Sequence, residues 1–126
     1  MITGIGIDIV QINRMEQWLG NDRLLERFFH PDELNIANTA AGKNNSAAQI
    51  LAARFAAKEA FGKALGTGLA QIVLRDICVH NSDNGKPQIK LFNTALDAFK
   101  KSGASFVHIS LSHEKDNAIA MIVLEA

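Results

Sequence analysis

The sequence is informative first for what it lacks. Its 126 residues contain one cysteine and no tyrosine, and no apolar run approaches the roughly 18 residues of a membrane-spanning helix. Cys78 cannot form an internal disulfide, and its apolar neighbours predict a buried small side chain in a reducing compartment. No basic region precedes the apolar amino terminus. We therefore expect a cytoplasmic protein with neither a transmembrane helix nor a signal peptide.

Net charge is also absent. Lys plus Arg and Asp plus Glu number 13 each, so no global field favours nucleic acid or an anionic membrane as a partner. A charged partner must therefore meet a local patch of the surface. The length predicts one domain over residues 1–126, which would bury roughly two-thirds of its unfolded surface and fold without disulfides.

The first half of the chain changes from a strand pattern to helix patterns. Residues 1–10 alternate as a strand, with isoleucines on one face and small residues on the other. Helical spacing follows and ends at Gly20, and a short helix opens at Pro31. A surface loop then leads to a long helix, which we expect to begin at the capping residue Ser46 and to end at Gly66.

The second half is dominated by strands. Apolar runs over 72–80 and 87–91 flank an Asn84-Gly85 turn, which predicts a hairpin. A short amphipathic helix over 94–102 separates it from a closing hairpin of strands over 106–112 and 118–124. This order favours an α+β fold with a mostly antiparallel sheet and one long helix.

Charged residues stand out on two of these elements. Glu59 and Lys63 lie one turn apart on the long helix, and Asp8 lies on the small-residue face of the first strand. Gly4 and Gly6 beside Asp8 leave room for something bulky. A carboxylate there must be paired, ligated or near solvent. The alternatives are an ordinary Glu59–Lys63 surface pair and an Asp8 that caps the next helix.

Two carboxylates with a lysine nearby describe a site for a hard cation. Carboxylate oxygens suit Mg²⁺, which is commonly held by one or two acids and the phosphates of its substrate. The pattern therefore predicts a ligand that carries phosphate, although neither a Walker sequence nor a Gly-x-Gly-x-x-Gly motif is present. None of the four histidines has zinc-ligand spacing with a cysteine or a second histidine. Only His113, beside Ser112 at a strand end, has the position of a site residue.

Three motifs occur in an order that is specific to one family. They are GIGIDI over residues 4–9, RFAAKEAFGKA over 54–64 followed by GTG over 66–68, and SLSH over 110–113. With them, essentially the whole chain resembles the holo-acyl-carrier-protein synthases, which are small bacterial 4′-phosphopantetheinyl transferases. The resemblance implies transfer of the phosphopantetheine arm from coenzyme A to a serine of an acyl carrier protein, in support of fatty acid biosynthesis. The alternative is a module that binds Mg²⁺ and coenzyme A, and docks a carrier without modifying it.

The resemblance also implies residue roles. Asp8 and Glu59 would hold Mg²⁺ on the coenzyme A pyrophosphate, and Glu59 and Lys63 are the catalytic candidates. The implied coenzyme A contacts are Arg54, Lys63, Gly66, Ser112 and His113. The implied contacts to acidic residues of the carrier are Arg14, Arg23 and Arg27.

Two further expectations follow from the family. An aspartate that some relatives carry on the short second helix is Asn35 here, and an amide cannot take the serine proton. Glu59 or a metal-bound water would have to take it instead. The family also forms homotrimers with the active site between neighbours, whereas a monomer would cover its sheet edges with its own helices.

Overall fold

The computed structural model describes residues 1–40 and 47–126. The predicted α+β fold is confirmed, with one long helix over Ala47–Leu65. The predicted start of that helix at Ser46, and the loop before it, lie outside the described residues. Within these residues the elements are β1 Ile2–Gln11, α1 Ile12–Trp18, α2 Asp22–Phe28, α3 Pro31–Ala40, α4 Ala47–Leu65, a 3-10 turn Leu74–Asp76, β2 Ile77–Asn81, β3 Pro87–Leu91, α5 Asn93–Lys101, β4 Phe106–His113 and β5 Asn117–Glu125.

The strands are antiparallel throughout, but they form two sheets in the described part of the chain. One sheet has the order β1-β5-β4 and the other pairs β2 with β3. In the larger sheet Asp8 lies opposite Ala120, and Ala120 lies opposite Leu111 on its other side. The closing hairpin thus places its last strand in the middle, so that β5 separates the first strand from β4.

Helix α4 forms the centre of the core, and 14 of its 19 residues are buried. Its many alanines favour helix while letting other elements approach closely. The approach of β1 is the closest, because a Cβ on Gly4 would lie 1.9 Å from the carbonyl oxygen of Ala64, and a Cβ on Gly6 would lie 2.0 Å from that of Ala60. The bulky neighbour expected beside these glycines is therefore the backbone of α4.

Glycine also ends α4 where the sequence predicts. Gly66 has a φ of +81°, in the left-handed region that glycine adopts without steric cost. The chain then folds back on the helix, and the Gly68 amide donates to the carbonyl oxygen of Gly62 at 3.0 Å. A Cβ on Gly62 would lie 2.8 Å from the Gly68 carbonyl carbon, and Gly68 has a φ of +66°, so both positions of this turn favour glycine. The exposed end of α4 is fixed in this way close to Lys63.

The other face of the larger sheet is apolar and exposed. We call it the outer isoleucine face, and its members are Ile5, Ile7, Ile9, Ile119 and Met121. Ile5, Ile7 and Ile9 are 59%, 57% and 59% exposed. Ile7 and Ile9 lie directly opposite Met121 and Ile119. A contiguous apolar surface of this kind marks an interaction site in a folded protein. Among the described helices, none is both long and apolar enough to cross a bilayer.

Candidate active site

Asp8 and Lys63 meet where α4 crosses β1. The Lys63 Nζ donates to the Asp8 Oδ1 at 2.9 Å and to the Ile7 carbonyl oxygen at 2.9 Å. The Asp8 side chain is 18% exposed and that of Lys63 is 54% exposed, so the solvent-exposed part of the pair is mainly the lysine. Lys63 therefore pairs with the strand acid rather than with Glu59, its neighbour one turn back, and the carboxylate of Asp8 is engaged by α4.

Glu59 lies close enough to Asp8 for the two carboxylates to interact. Partial burial raises the pKa of Glu59, and the negative charge of Asp8 raises it further, while the positive charges of Arg14 and Lys63 oppose both effects. Two acids that share a partly buried site repel each other unless a cation lies between them. A bound cation would therefore stabilise this site by offsetting the repulsion between the two carboxylates.

These residues fit a hard divalent cation. Asp8 and Glu59 offer carboxylate oxygens, the ligands that Mg²⁺ prefers. The positively charged Lys63 ammonium already contacts the carboxylate of Asp8. Because Lys63 is more than half exposed and lies on a long flexible stem, it can move from Asp8 to a phosphate without unpacking the core. The arrangement can therefore hold a cation and a phosphorylated ligand together.

Arg54 and His113 lie at a different place, in a cleft of about 270 Å³ that Asn81 and Leu111 also line. Arg54 is only 4% exposed, and its Nε and Nη2 have no hydrogen-bond partner among residues 1–40 and 47–126. Burial lowers the pKa of its guanidinium, and the charge of Glu33 opposes this. A buried guanidinium with unused donors is costly unless an anion binds to it, so the cleft is suited to a phosphate.

The structure separates this cleft from Asp8, Glu59 and Lys63, which are not among its lining residues. The strand β5 lies between β1 and β4, which places the two strands about 10 Å apart at two strand spacings. Ser112 is exposed and pairs with Ile119, so it lies on the outer face of β4 and not beside His113. The predicted site residues thus fall into two groups on one chain.

The predicted docking arginines lie on α1 and α2, and all three are exposed: Arg14, Arg23 and Arg27. The guanidinium of Arg14 lies 5.0 Å from the ring centre of Phe55 and 5.4 Å from that of Trp18. These two rings contact each other edge to face, with their centres 5.4 Å apart. An aromatic support therefore holds Arg14 at the surface, close enough to Glu59 for its charge to be felt there.

A buried ion pair was missed in the sequence. Lys58, next to Glu59 on α4, lies 2.7 Å from the Glu33 carboxylate, and both side chains are 0% exposed. Lys58 also donates to the carbonyl oxygens of Leu74 and Ile77. The only sequence signal for the buried position of Glu33 was its capping-box spacing, three residues after His30. The amide of His30 donates to the Glu33 carboxylate at 2.9 Å.

Two other expectations concern residues outside these groups. Asn35 is exposed on α3 and lines a cleft with Asp22 and Arg75 that contains neither Asp8 nor Glu59. Cys78 is 2% exposed, and burial raises the pKa of its thiol to about 11. The prediction of a buried cysteine is therefore confirmed.

The fold and the site together define a class: an α+β protein in which a strand acid, a helix acid and a lysine meet in an arrangement suited to a cation and a phosphorylated ligand. The chain belongs to the 4′-phosphopantetheinyl transferase superfamily, whose pattern matches residues 4–122.

Individual relatives agree with this assignment. The holo-[acyl-carrier-protein] synthase of Treponema denticola is 54% identical over 99% of both chains. The structure of a holo-(acyl-carrier-protein) synthase from Bacillus anthracis, in complex with coenzyme A (3′,5′-ADP), is 40% identical, with a TM-score of 0.81 over 100% of this chain and 98% of that one. The Helicobacter pylori holo-[acyl-carrier-protein] synthase in complex with coenzyme A is 31% identical, with a TM-score of 0.79 over 96% of this chain and 99% of that one.

Proposed function

We propose that this chain transfers the 4′-phosphopantetheine group from coenzyme A to a serine of apo-acyl carrier protein in the cytoplasm, in support of fatty acid biosynthesis. It would act through Asp8, Glu59 and Lys63 as a single domain over residues 1–126. The observation that carries the proposal is the meeting of these three residues where α4 crosses β1, in a chain of this family. Relatives of this chain have been solved with coenzyme A, which supports that molecule as the substrate.

The reaction needs positioning and control of charge. The serine oxygen forms a bond to the β-phosphorus of coenzyme A, the bond from that phosphorus to the bridging oxygen breaks, and adenosine 3′,5′-bisphosphate leaves. When bound, Mg²⁺ supplies positive charge to the pyrophosphate. Asp8 and Glu59 would hold this ion, and Lys63 would turn from Asp8 to the phosphate oxygens.

The serine proton needs an acceptor on the chain. Glu59 is the candidate acceptor. Burial and the charge of Asp8 raise its pKa, whereas a cation held by the same carboxylate would lower it. Asn35 is an amide on another surface and cannot serve. The transfer is tested by the intact mass of apo-carrier incubated with coenzyme A and Mg²⁺, where an added phosphopantetheinyl group increases the mass by about 340 Da.

The second group of residues is proposed to bind the remaining phosphate of coenzyme A. Arg54 and His113 both line the cleft, and the buried Nε and Nη2 of Arg54 have no hydrogen-bond partner among the described residues. Gly66 would border the pyrophosphate at the end of α4, and Ser112 lies on the far face of β4. Because Asp8 and Glu59 do not line the cleft that contains Arg54, we infer that a neighbouring subunit brings the two groups to one coenzyme A molecule.

A homotrimer would provide this neighbouring subunit. The outer isoleucine face leaves large apolar side chains exposed on the sheet that carries both Asp8 and His113. Contact between copies would remove these side chains from water, with a gain of about 25 cal/mol for each Å² of apolar area buried. In a closed ring every subunit uses the same two surfaces, so the Asp8 group of one subunit can face the Arg54 group of the next.

Mixing two inactive variants tests this arrangement. We expect Glu59→Gln and His113→Ala to be impaired alone and to recover activity when they are unfolded and refolded together. If chains assort randomly, roughly one quarter of the clefts receive an intact Glu59 from one chain and an intact His113 from the next. Activity of the mixture should therefore exceed the mean of the two pure variants.

The control for this mixing experiment is the double variant Glu59→Gln/His113→Ala, which should rescue neither single variant. Light scattering on the wild-type chain should give three times the mass of one chain. A monomer with full activity at the same dilution would contradict the trimer. A trimer whose mixtures gain no activity would place both groups in the site of a single subunit.

The docking arginines give a separate prediction. Reversal of the charge in Arg14→Glu should raise the KM for carrier about tenfold or more and change the KM for coenzyme A much less, because Arg14 lies at the exposed surface of α1. The wild-type KM for carrier should also rise with salt, whereas that of the variant should depend on it less.

The exposed Lys100 on α5 provides the matched control, since Lys100→Glu changes the net charge equally on another element. It should leave the KM for carrier close to that of the wild type. Equal changes in both Michaelis constants for Arg14→Glu would contradict docking at this surface, and would indicate a folding defect if the far-ultraviolet spectrum changed too.

A further inference from the structure

A second group of metal-ligating atoms lies where α3 begins, and it shares no residue with the active site. His30, Asp32 and Cys78 each place one ligand atom within 4.8 Å of the other two. His30 and Asp32 flank the start of α3, whereas Cys78 belongs to β2. The sequence lacks zinc-ligand spacing here because the cysteine comes far along the chain, and the fold alone brings the three together.

The ring of His30 is held in a fixed orientation. It stacks on Phe92 with the centres 5.0 Å apart and the planes 11° apart. Its Nδ1 carries no proton, because it accepts a hydrogen bond from the Asp32 amide at 3.1 Å, and an ion that binds this nitrogen would replace that hydrogen bond. The Nδ1 lies 3.7 Å from the Asp32 Oδ2. Ligand atoms of a tetrahedral zinc site are about 3.3–3.7 Å apart, given bonds of about 2.0–2.3 Å.

A small movement of the Asp32 side chain would bring the three ligand atoms within coordination distance of one ion. The largest separation in the group, 4.8 Å, exceeds that tetrahedral range by about 1 Å. The Asp32 side chain is 70% exposed and can rotate freely, while Cys78 is 2% exposed and is held by the core. An ion would thus enter from the solvent past Asp32 and bind to the Sγ of Cys78, which the core holds in place.

The donor set selects the class of ion. Imidazole nitrogen, thiolate sulfur and carboxylate oxygen are the three ligand types of zinc sites, whereas Mg²⁺ prefers oxygen alone. We propose that His30, Asp32 and Cys78 form a site for a borderline transition-metal dication such as Zn²⁺ or Co²⁺, separate from the Asp8 and Glu59 site. The bound ion replaces the thiol proton, which leaves to solvent, and a water molecule completes the coordination.

The surrounding charges are balanced enough to accept such an ion. Besides Asp32, the charged groups that act on Cys78 are Glu33, Lys58 and Arg54, two of them positive and one negative. Glu33 and Lys58 neutralise each other as an ion pair. The ion would join the first turn of α3 to β2 beside that pair, so its binding should stabilise the fold without contacting the transfer site.

Cobalt absorption gives a direct test on the full chain. Co²⁺ should be titrated into the reduced protein with Mg²⁺ in large excess, so that the carboxylate site is occupied by the commoner ion. We expect one Co²⁺ per chain, with a near-ultraviolet absorption band from thiolate-to-cobalt charge transfer, which an oxygen-only site cannot give. The midpoint of thermal unfolding should rise with Co²⁺ or Zn²⁺, because an ion that binds only the folded chain stabilises it.

Single variants assign the ligands. Asp32→Asn changes an exposed side chain, and His30→Asn removes the imidazole while keeping a residue that caps helices well. Each should weaken Co²⁺ binding by at least about tenfold, since even loss of a residue behind the ligands costs this much. Cys78→Ser should abolish the band. Asp22→Asn, at an exposed acid in the first turn of α2, is the matched control and should change nothing.

Several outcomes would overturn the proposal. The absence of the band in the wild-type chain would do so directly. A band that persists unchanged in both Asp32→Asn and His30→Asn would show capture by the thiol alone. A loss of the band in Asp22→Asn would indicate that the effect is not local. The transfer activity does not enter this test, so its result is independent of the function proposed above.

Discussion

Asp8→Asn and Glu59→Gln are each expected to reduce transfer at least about 100-fold while leaving the chain folded. Each substitution removes one negative charge and almost no volume. Asp8→Asn weakens the contact at 2.9 Å with Lys63 and removes a ligand that a hard cation prefers. Glu59→Gln removes both a cation ligand and the group proposed to accept the serine proton.

Stability separates a site role from a structural role in these variants. The carboxylate of Glu59 is partly buried beside Asp8, and both effects disfavour its charge. A neutral Gln avoids this repulsion, so Glu59→Gln should unfold at the same urea concentration as the wild type or at a higher one. Activity would then fall although stability does not, as expected for a residue that is arranged for function.

The measurement is the rate of mass gain by apo-carrier, at a series of Mg²⁺ concentrations with coenzyme A present. The exposed Glu26 on α2 gives the control, and Glu26→Gln should retain the wild-type rate. Wild-type turnover that depends on Mg²⁺ in either Asp8→Asn or Glu59→Gln would refute the assignment of that residue. A loss of activity that high Mg²⁺ restores would instead show weaker binding of the ion with the chemistry intact.

The local features of this fold could be predicted from the sequence. Strand alternation, helical spacing and turn residues act over a few positions, so most of the elements and the turns at Gly66 and Gly85 could be assigned from neighbouring residues. Helix α2 was not assigned, and the strand expected from residue 72 begins only at Ile77, after a 3-10 turn. Alternation also puts Asp8 and the glycines on one face of β1. It does not say which face packs inward. The glycine face does so, because only glycine admits the backbone of α4, and this leaves the isoleucines outside.

Long-range partners could not be predicted. Arg54 and Lys58 sit on an alanine-rich helix where a charged residue is ordinarily solvated, yet both are buried. Lys58 is buried because Glu33, 25 residues earlier, and two backbone carbonyls surround it. The meeting of Asp8 with Glu59 and Lys63 was expected, since Asp8 lies on the small-residue face of an apolar strand and the family resemblance implies that both acids hold the ion. The choice of Asp8 as the partner of Lys63 depends on the crossing of α4 over β1, which no spacing encodes.

Lys58→Met is expected to cost about 3–5 kcal/mol of stability, because it leaves the Glu33 carboxylate buried without its cation. Glu33 keeps the amides of His30 and Val79 as donors, at 2.9 Å and 3.2 Å, but two neutral donors do not replace an ammonium at 2.7 Å. The carbonyl oxygens of Leu74 and Ile77 would lose their donor as well. Urea unfolding at one fixed protein concentration measures this, since assembly would make the midpoint depend on concentration.

The double variant Glu33→Gln/Lys58→Met shows whether the two charges act as a pair. Removal of both leaves no uncompensated buried charge, so the double variant should be about 0.5–3 kcal/mol more stable than the sum of the single effects predicts. Lys100→Met, at an exposed lysine, should change stability by less than about 1 kcal/mol. A loss in Lys58→Met no larger than this control would refute the pair as a structural element.

The same variants connect the buried pair to the site. Lys58 and Glu59 are consecutive on α4 and point about 100° apart, so the rotation that buries the lysine against Glu33 also turns the glutamate toward Asp8. The pair would then position Glu59 without taking part in the transfer. We expect the double variant, assayed where it is fully folded, to raise the KM for Mg²⁺ more than it lowers kcat, because a turned helix separates the two acids that hold the ion. An unchanged KM for Mg²⁺ would mean that β1 alone, through the close contacts of Gly4 and Gly6, fixes the rotation of α4.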